Sequence, residues 1–165
     1  MDNPIISSIA DPRYQKRLNW LKGQLTNALE QPLLNFNELM NIKDMGLYLI
    51  YDDAELLYIG MTSRVGNLRI DEIARGYRSH TFNRKLLAQH FRGLGHKIDS
   101  INPKTFIKLW VETNKISRLD IRSAQREVNS HIRSKLRFRF YESRYINLGF
   151  IEHFAIATLQ PLYND

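Results

Sequence analysis

The 165-residue chain has no cysteine, only five prolines and eight glycines, and no long apolar run. Each shortage excludes a class of protein. Without cysteine there is no disulfide framework, no thiolate zinc site and no cysteine nucleophile. The same absence fits a reducing compartment. Proline and glycine are too scattered for a linker and no repeat recurs, so residues 1–165 are expected to form a single domain. No stretch approaches the roughly 20 apolar residues of a membrane helix. The segment Met1 to Ser8 also lacks the basic and apolar parts of a signal peptide. A soluble, cytoplasmic protein with no membrane partner is expected.

Among what is present, 43% hydrophobic residues, with eight Tyr, eight Phe and two Trp, argue for a folded core. Lys and Arg number 24 against 17 Asp and Glu, a net charge of +7. That surplus attracts polyanions, with DNA and RNA ahead of an anionic membrane surface.

Leu18, Leu21, Leu25 and Leu29 recur at helical intervals between Arg13 and Leu29, and Gln31-Pro32 ends the pattern. This helix reads as an addition within residues 1–45. Gly46-Leu47-Tyr48-Leu49-Ile50-Tyr51 and Glu55-Leu56-Leu57-Tyr58-Ile59, separated by Asp52-Asp53-Ala54, predict a β-hairpin. Helices are expected from about Ser63 to Ala74, from Asn83 to Gly93 or Gly95, and from Arg118 to Lys135. Thr105 to Val111 reads as a strand. Strict alternation in Leu136-Arg137-Phe138-Arg139-Phe140-Tyr141 predicts a strand with one packed face and one basic face. A last helix runs from roughly Ile146 to Leu159 and must stop by Gln160, because Pro161 disfavours helix in its predecessor.

Two features carry chemistry. The first is the pair of triplets Gly46-Leu47-Tyr48 and Tyr58-Ile59-Gly60, followed by Thr62 and Arg64. Their glycines leave open backbone where a large ligand could approach, although a hairpin packed by aromatics explains the tyrosines equally well. The second is Glu152 among Phe150, Ile151, Phe154, Ala155 and Ile156, followed by Pro161-Leu162-Tyr163-Asn164. A carboxylate among apolar neighbours is costly unless it binds a cation or lies on the solvent face of its helix.

Taken together, in this order, the triplets and the Glu-to-Asn ending resemble the GIY-YIG nuclease superfamily, with Leu in place of Ile in the first triplet. The likeness covers residues 46–164 apart from an insertion near 95–135. It implies an α/β (α+β) fold, in which a small three-stranded antiparallel sheet is flanked by helices. It also implies a divalent-metal-dependent DNA endonuclease that leaves 5′-phosphate and 3′-hydroxyl ends.

On that resemblance Glu152 holds Mg²⁺ (or Mn²⁺), hard cations that need only one or two carboxylates beside waters and phosphate oxygens. Tyr48 is the general base or orients the attacking water, with Tyr58 its partner. Service as a base at neutral pH requires the phenol to fall roughly three units from its usual ~10. Arg69 grips the scissile phosphate, a task suited to a planar, always-charged guanidinium, with Arg64 and Arg75 as competitors. His80 is a proton shuttle or substrate contact, or else a surface residue. The segment around it supplies Arg75, Arg78, Arg84 and Lys85 as DNA contacts. Asn164 fixes the geometry near the metal or caps the last helix. Arg137 and Arg139, with Arg133, Lys135 and Arg144, form either a solvated face or a DNA-facing ridge beside Glu152.

The expected partner is double-stranded DNA. Cutting both strands with one site per chain calls for a homodimer or sequential nicks. By analogy the compact size fits a stand-alone restriction, phage or mobile-element enzyme. The alternatives are a nucleic-acid-binding module that does not cut and a structure-specific or RNA-directed nuclease.

Overall fold

The computed structural model describes residues 11–98, 110, 112, 116–144 and 147–164. Along the chain run α1 (Pro12–Leu29), α2 (Phe36–Leu39), β1 (Gly46–Asp52), β2 (Glu55–Thr62), α3 (Gly66–Arg75), α4 (Thr81–Gly93), α5 (Arg118–Ser134), β3 (Arg137–Glu142) and α6 (Leu148–Leu159). The strands form an antiparallel sheet in the order β2-β1-β3, so the fold is α+β.

Successive strand side chains point to opposite faces. β1 is central and is covered on both sides. Tyr48 and Ile50 join Phe138, Phe140, Phe82, Ile70 and the apolar faces of α2 to α5 in the larger core. Leu47, Leu49 and Ile59 meet Leu25 and Ala28 of α1 and Ile151 and Ala155 of α6 in the smaller one. The amino-terminal helix therefore closes the second face of the sheet together with α6. At the outer edge of β3, Leu34 and Phe138 exchange both backbone hydrogen bonds, at 2.7 and 2.9 Å.

Two helix starts differ from the sequence expectation for local reasons, and one helix end falls where it was expected. α3 begins at Gly66 rather than Ser63, because the Thr62 hydroxyl donates to the Arg64 carbonyl and accepts the Arg64 N–H, closing a turn first. α4 begins two residues early, at Thr81, because His80 caps it, its Nδ1 accepting the Phe82 N–H at 3.1 Å. α6 ends at Leu159, with Gln160 in the left-handed region at φ 46° ahead of Pro161. The strand expected over Thr105–Val111 lies outside the described residues except for Trp110, which is buried and helical. Among the described residues no helix is long and apolar enough to cross a membrane.

Candidate active site

The hairpin register places Tyr48 opposite Gly60 and Ile50 opposite Tyr58, so both tyrosines lie on the face of the larger core. Their rings stack with centroids 6.4 Å apart. The open backbone expected at the glycines is absent, because the protein fills it with its own side chains. A Cβ on Gly60 would overlap the Tyr48 hydroxyl, and one on Gly46 would meet the Tyr141 carbonyl and the Phe140 ring. Glycine at position 60 is what lets the Tyr48 phenol lie flat across β2.

Tyr48 is fully buried and His80 is 1% exposed. The Tyr48 hydroxyl lies 3.0 Å from His80 Nε2, while Nδ1 is occupied as the α4 cap. An Nδ1 that accepts an N–H carries no proton, so the neutral ring holds its proton on Nε2 and donates it to Tyr48. Burial, reinforced by Arg69 and Arg84, lowers the His80 pKa to about 3, which keeps the ring neutral. Arg69, on α3, lies close enough for its charge to act on Tyr48. The His80 Nε2–H and the Arg69 charge thus bear on one phenol oxygen.

Burial pushes the Tyr48 phenol well above its ordinary value, assisted by Tyr58 and opposed by Arg69. Tyr58 is raised as well, by burial and by the Glu152 carboxylate. In the chain alone the tyrosines are therefore held as neutral phenols, the reverse of the shift that a general base needs.

Glu152, on α6, is neither a fully solvated helix residue nor a core one. It is partly buried, with its carboxylate near the Met61 N–H. Burial raises its pKa, while His153, that N–H and Arg69 lower it. Its charge reaches both tyrosines and Arg69, so α6 and the hairpin meet at one spot. Among the described residues no cluster of three His, Asp or Glu side chains exists, and Glu152 is the single carboxylate at this spot that sequence reasoning singled out. One partly buried carboxylate suits a hard cation that keeps most of its waters.

The other expected site residues divide into those near this centre and those turned elsewhere. Arg69 and Arg64 both bind Glu72, at 2.9 Å each. Burial raises the Glu72 pKa, but these bonds outweigh it and hold the carboxyl below its usual range. Arg84 donates to the Tyr77 carbonyl and to Thr81, its Nε is buried without a partner, and its charge reaches Tyr58. Lys85 donates to the Tyr163 carbonyl at 2.9 Å. Arg75 pairs with Asp71, and the Arg78 guanidinium lies 5.6 Å over the Tyr77 ring.

Asn164 does not cap α6, where Gln160 ends the helix. Its amide clamps Ile59 instead, accepting the N–H at 2.6 Å and donating to the carbonyl at 2.7 Å. This substitutes for a strand neighbour at the free edge of β2, between Tyr58 and Gly60.

The basic stretch of residues 133–144 does not form one ridge. Arg133 lies over the Phe36 ring at 4.6 Å, and Arg144 pairs with Asp44. Arg139 bonds the Gln31 carbonyl and lies over Tyr51, on the face covered by α1. Arg137 shares the Arg139 face by strand alternation and is exposed.

Sequence reasoning missed Glu72 and an amide network behind the His80 loop. Gln125 accepts the Tyr77 N–H at 2.9 Å and donates to Asn83 and Asn129, both at 2.8 Å. Asn83, fully buried, donates to the Ile73 carbonyl at 2.8 Å. The readable signals were the i, i+3 spacing of Arg69 and Glu72 and the i, i+4 spacing of Gln125 and Asn129.

No family model, curated protein or solved structure matches the chain.

Proposed function

We propose that the chain is a divalent-metal-dependent DNA endonuclease of the GIY-YIG type, with the cluster of Tyr48, Tyr58, Arg69, His80 and Glu152 as its active site. The observation that carries this reading is their convergence. Tyr48 of β1, Tyr58 of β2 and the His80 cap of α4 are in contact, and the charges of Arg69 on α3 and Glu152 on α6, up to about a hundred positions away, reach both tyrosines.

Hydrolysis of a phosphodiester needs an oriented water, cationic groups facing the developing charge and a place for a cation. Arg69 supplies the guanidinium. It is already held by Glu72, so a phosphate arriving at the site competes for a charge that is in position. Tyr48, accepting from His80 and lying within reach of the Arg69 charge, is held as a neutral phenol that would orient a water or a phosphate oxygen brought to it. In the chain alone burial favours this orienting role over that of base. Glu152 would hold Mg²⁺ or Mn²⁺, which when bound supplies Lewis-acid stabilisation of the phosphate.

The test is incubation of the purified protein with supercoiled plasmid and Mg²⁺ or Mn²⁺, beside Glu152→Ala and Tyr48→Phe. The expected result is nicked or linear product from wild type and a loss of about a hundredfold or more in each variant. No cleavage by wild type, or undiminished cleavage by Glu152→Ala, would sink the reading.

A further inference from the structure

α5 buries Ile121, Ala124, Val128 and Ile132 and turns Arg118, Arg122 and Arg126 to solvent. At four-residue intervals these arginines form a stripe on one side of the helix, about 6 Å of rise apart and about 12 Å long. Opposite them stand Arg75 at the end of α3 and Arg78 of the loop that leads to His80. The five guanidiniums line one open concavity of about 670 Å³, and no carboxylate is among its lining residues. Among the described residues Arg118, Arg122 and Arg126 have no ion pair, whereas Arg64, Arg69, Arg75 and Arg133 each have a carboxylate partner.

Three unpaired like charges on one helix face are unfavourable for the free protein. The surrounding structure nonetheless fixes this wall. Gln125, between two of the arginines, anchors the Tyr77 N–H and bonds Asn83 and Asn129, so α5 and the loop wall are tied together. Ser79 of the concavity adjoins His80, which touches Tyr48.

We infer that this concavity binds the sugar-phosphate backbone of a DNA duplex that extends beyond the Tyr48 site, with Arg118, Arg122 and Arg126 as its phosphate contacts. The inference rests on the nuclease reading for the identity of the ligand. A stripe of about 12 Å spans the axial rise of roughly three to four nucleotides of one strand. Contacts of this kind position the duplex without reading sequence.

The experiment measures binding of a fluorescent 25-base-pair duplex in EDTA, so that no cleavage occurs, across a salt series. Wild type is compared with Arg118→Ser/Arg122→Ser/Arg126→Ser, with the same three positions changed to Lys, and with Arg13→Ser/Lys16→Ser/Lys22→Ser on α1. Each neutralised phosphate contributes about −0.9 to the slope of log affinity against log salt. The serine triple variant is expected to lose about 2.7 from the magnitude of that slope. Its drop in affinity between 50 and 200 mM salt then shrinks by about 40-fold relative to wild type. The lysine variant keeps the wild-type slope, and the α1 variant shifts it by less than one. Arg122→Ser alone loses about one, which serves if the triple variant fails to fold.

An unchanged slope, an equal loss in the α1 variant, no duplex binding by wild type, or preference for RNA of the same length would each overturn the inference. These outcomes are separable from the nuclease reading. A wild type that binds with the expected slope but cuts nothing leaves the groove standing and sinks the enzyme. A wild type that cuts while the triple variant binds normally does the reverse.

Discussion

The Tyr48 oxygen shows how few atoms set the behaviour of the candidate site. His80 Nε2–H donates to it from 3.0 Å within a fully packed environment. Tyr48→Phe removes the acceptor and leaves a buried N–H without a partner. It should lower unfolding stability by about 1–3 kcal/mol, measurable by urea denaturation. Gly60→Ala is predicted to do more damage to geometry than a methyl normally does, because its Cβ would occupy the space of the phenol oxygen. Displacement of Tyr48 should cost about 1–3 kcal/mol and abolish plasmid nicking, while a Gly23→Ala control on α1, with open space around it, leaves both unchanged. His80 adds a pH signature. Its pKa is near 3 in the folded chain against an ordinary 6.5, so the unfolded state takes up the proton first as pH falls. The stability tied to its neutral form is present above about pH 6.5 and is lost as pH falls toward 3, by at most about 1.4 kcal/mol per pH unit. Urea midpoints of wild type and His80→Asn should therefore converge as the pH is lowered through this window.

At the scale of elements, the hairpin and β3 were legible because a period of two survives in Leu47, Tyr48, Leu49 and Ile50 and in Leu136, Phe138 and Phe140. The helices were legible from their apolar spacing, but their starts were not. The start of α4 depends on a histidine cap, outside the Ser, Thr, Asp and Asn set that a reader looks for. The residues brought to the site could be named from motif spacing, yet their roles toward one another could not. The Nε2–H tautomer of His80, the Glu72 clamp on Arg69 and the committed amide of Asn164 all follow from tertiary contacts. The same holds for the Asn83, Gln125 and Asn129 network, in which Asn83 lies more than forty positions from the Gln125–Asn129 pair. Asn83→Leu should uncouple α5 from the His80 loop, costing about 2–3 kcal/mol and lowering activity together with stability. Leu87→Met, a volume-conserving core change on the same helix, should cost less than about 1.5 kcal/mol and leave activity in place.

For the whole molecule, the surplus of +7 is distributed differently from what the run of arginines in the sequence implies. In residues 133–144, the densest stretch, Arg133, Arg139 and Arg144 lie against Phe36, Tyr51, Gln31 and Asp44, at separate places around the fold. The unpaired charge gathers instead on α5, in the part of the chain where the motif resemblance is interrupted, facing the loop before His80. α1 and α6 seal the other side of the sheet, so that Glu152 on α6 meets Tyr48 and Tyr58 across the edge of β2. The central claim is that these side chains act jointly on a phosphodiester, and the single-turnover cleavage rate of a labelled duplex tests it most directly. Wild type and Glu152→Gln are measured at saturating protein with Mg²⁺, and wild type again with EDTA. The account predicts cleavage by wild type with Mg²⁺, none with EDTA, and a rate at least about a hundredfold lower for Glu152→Gln at unchanged duplex affinity. Equal rates for Glu152→Gln and wild type, or cleavage that persists in EDTA, would contradict it.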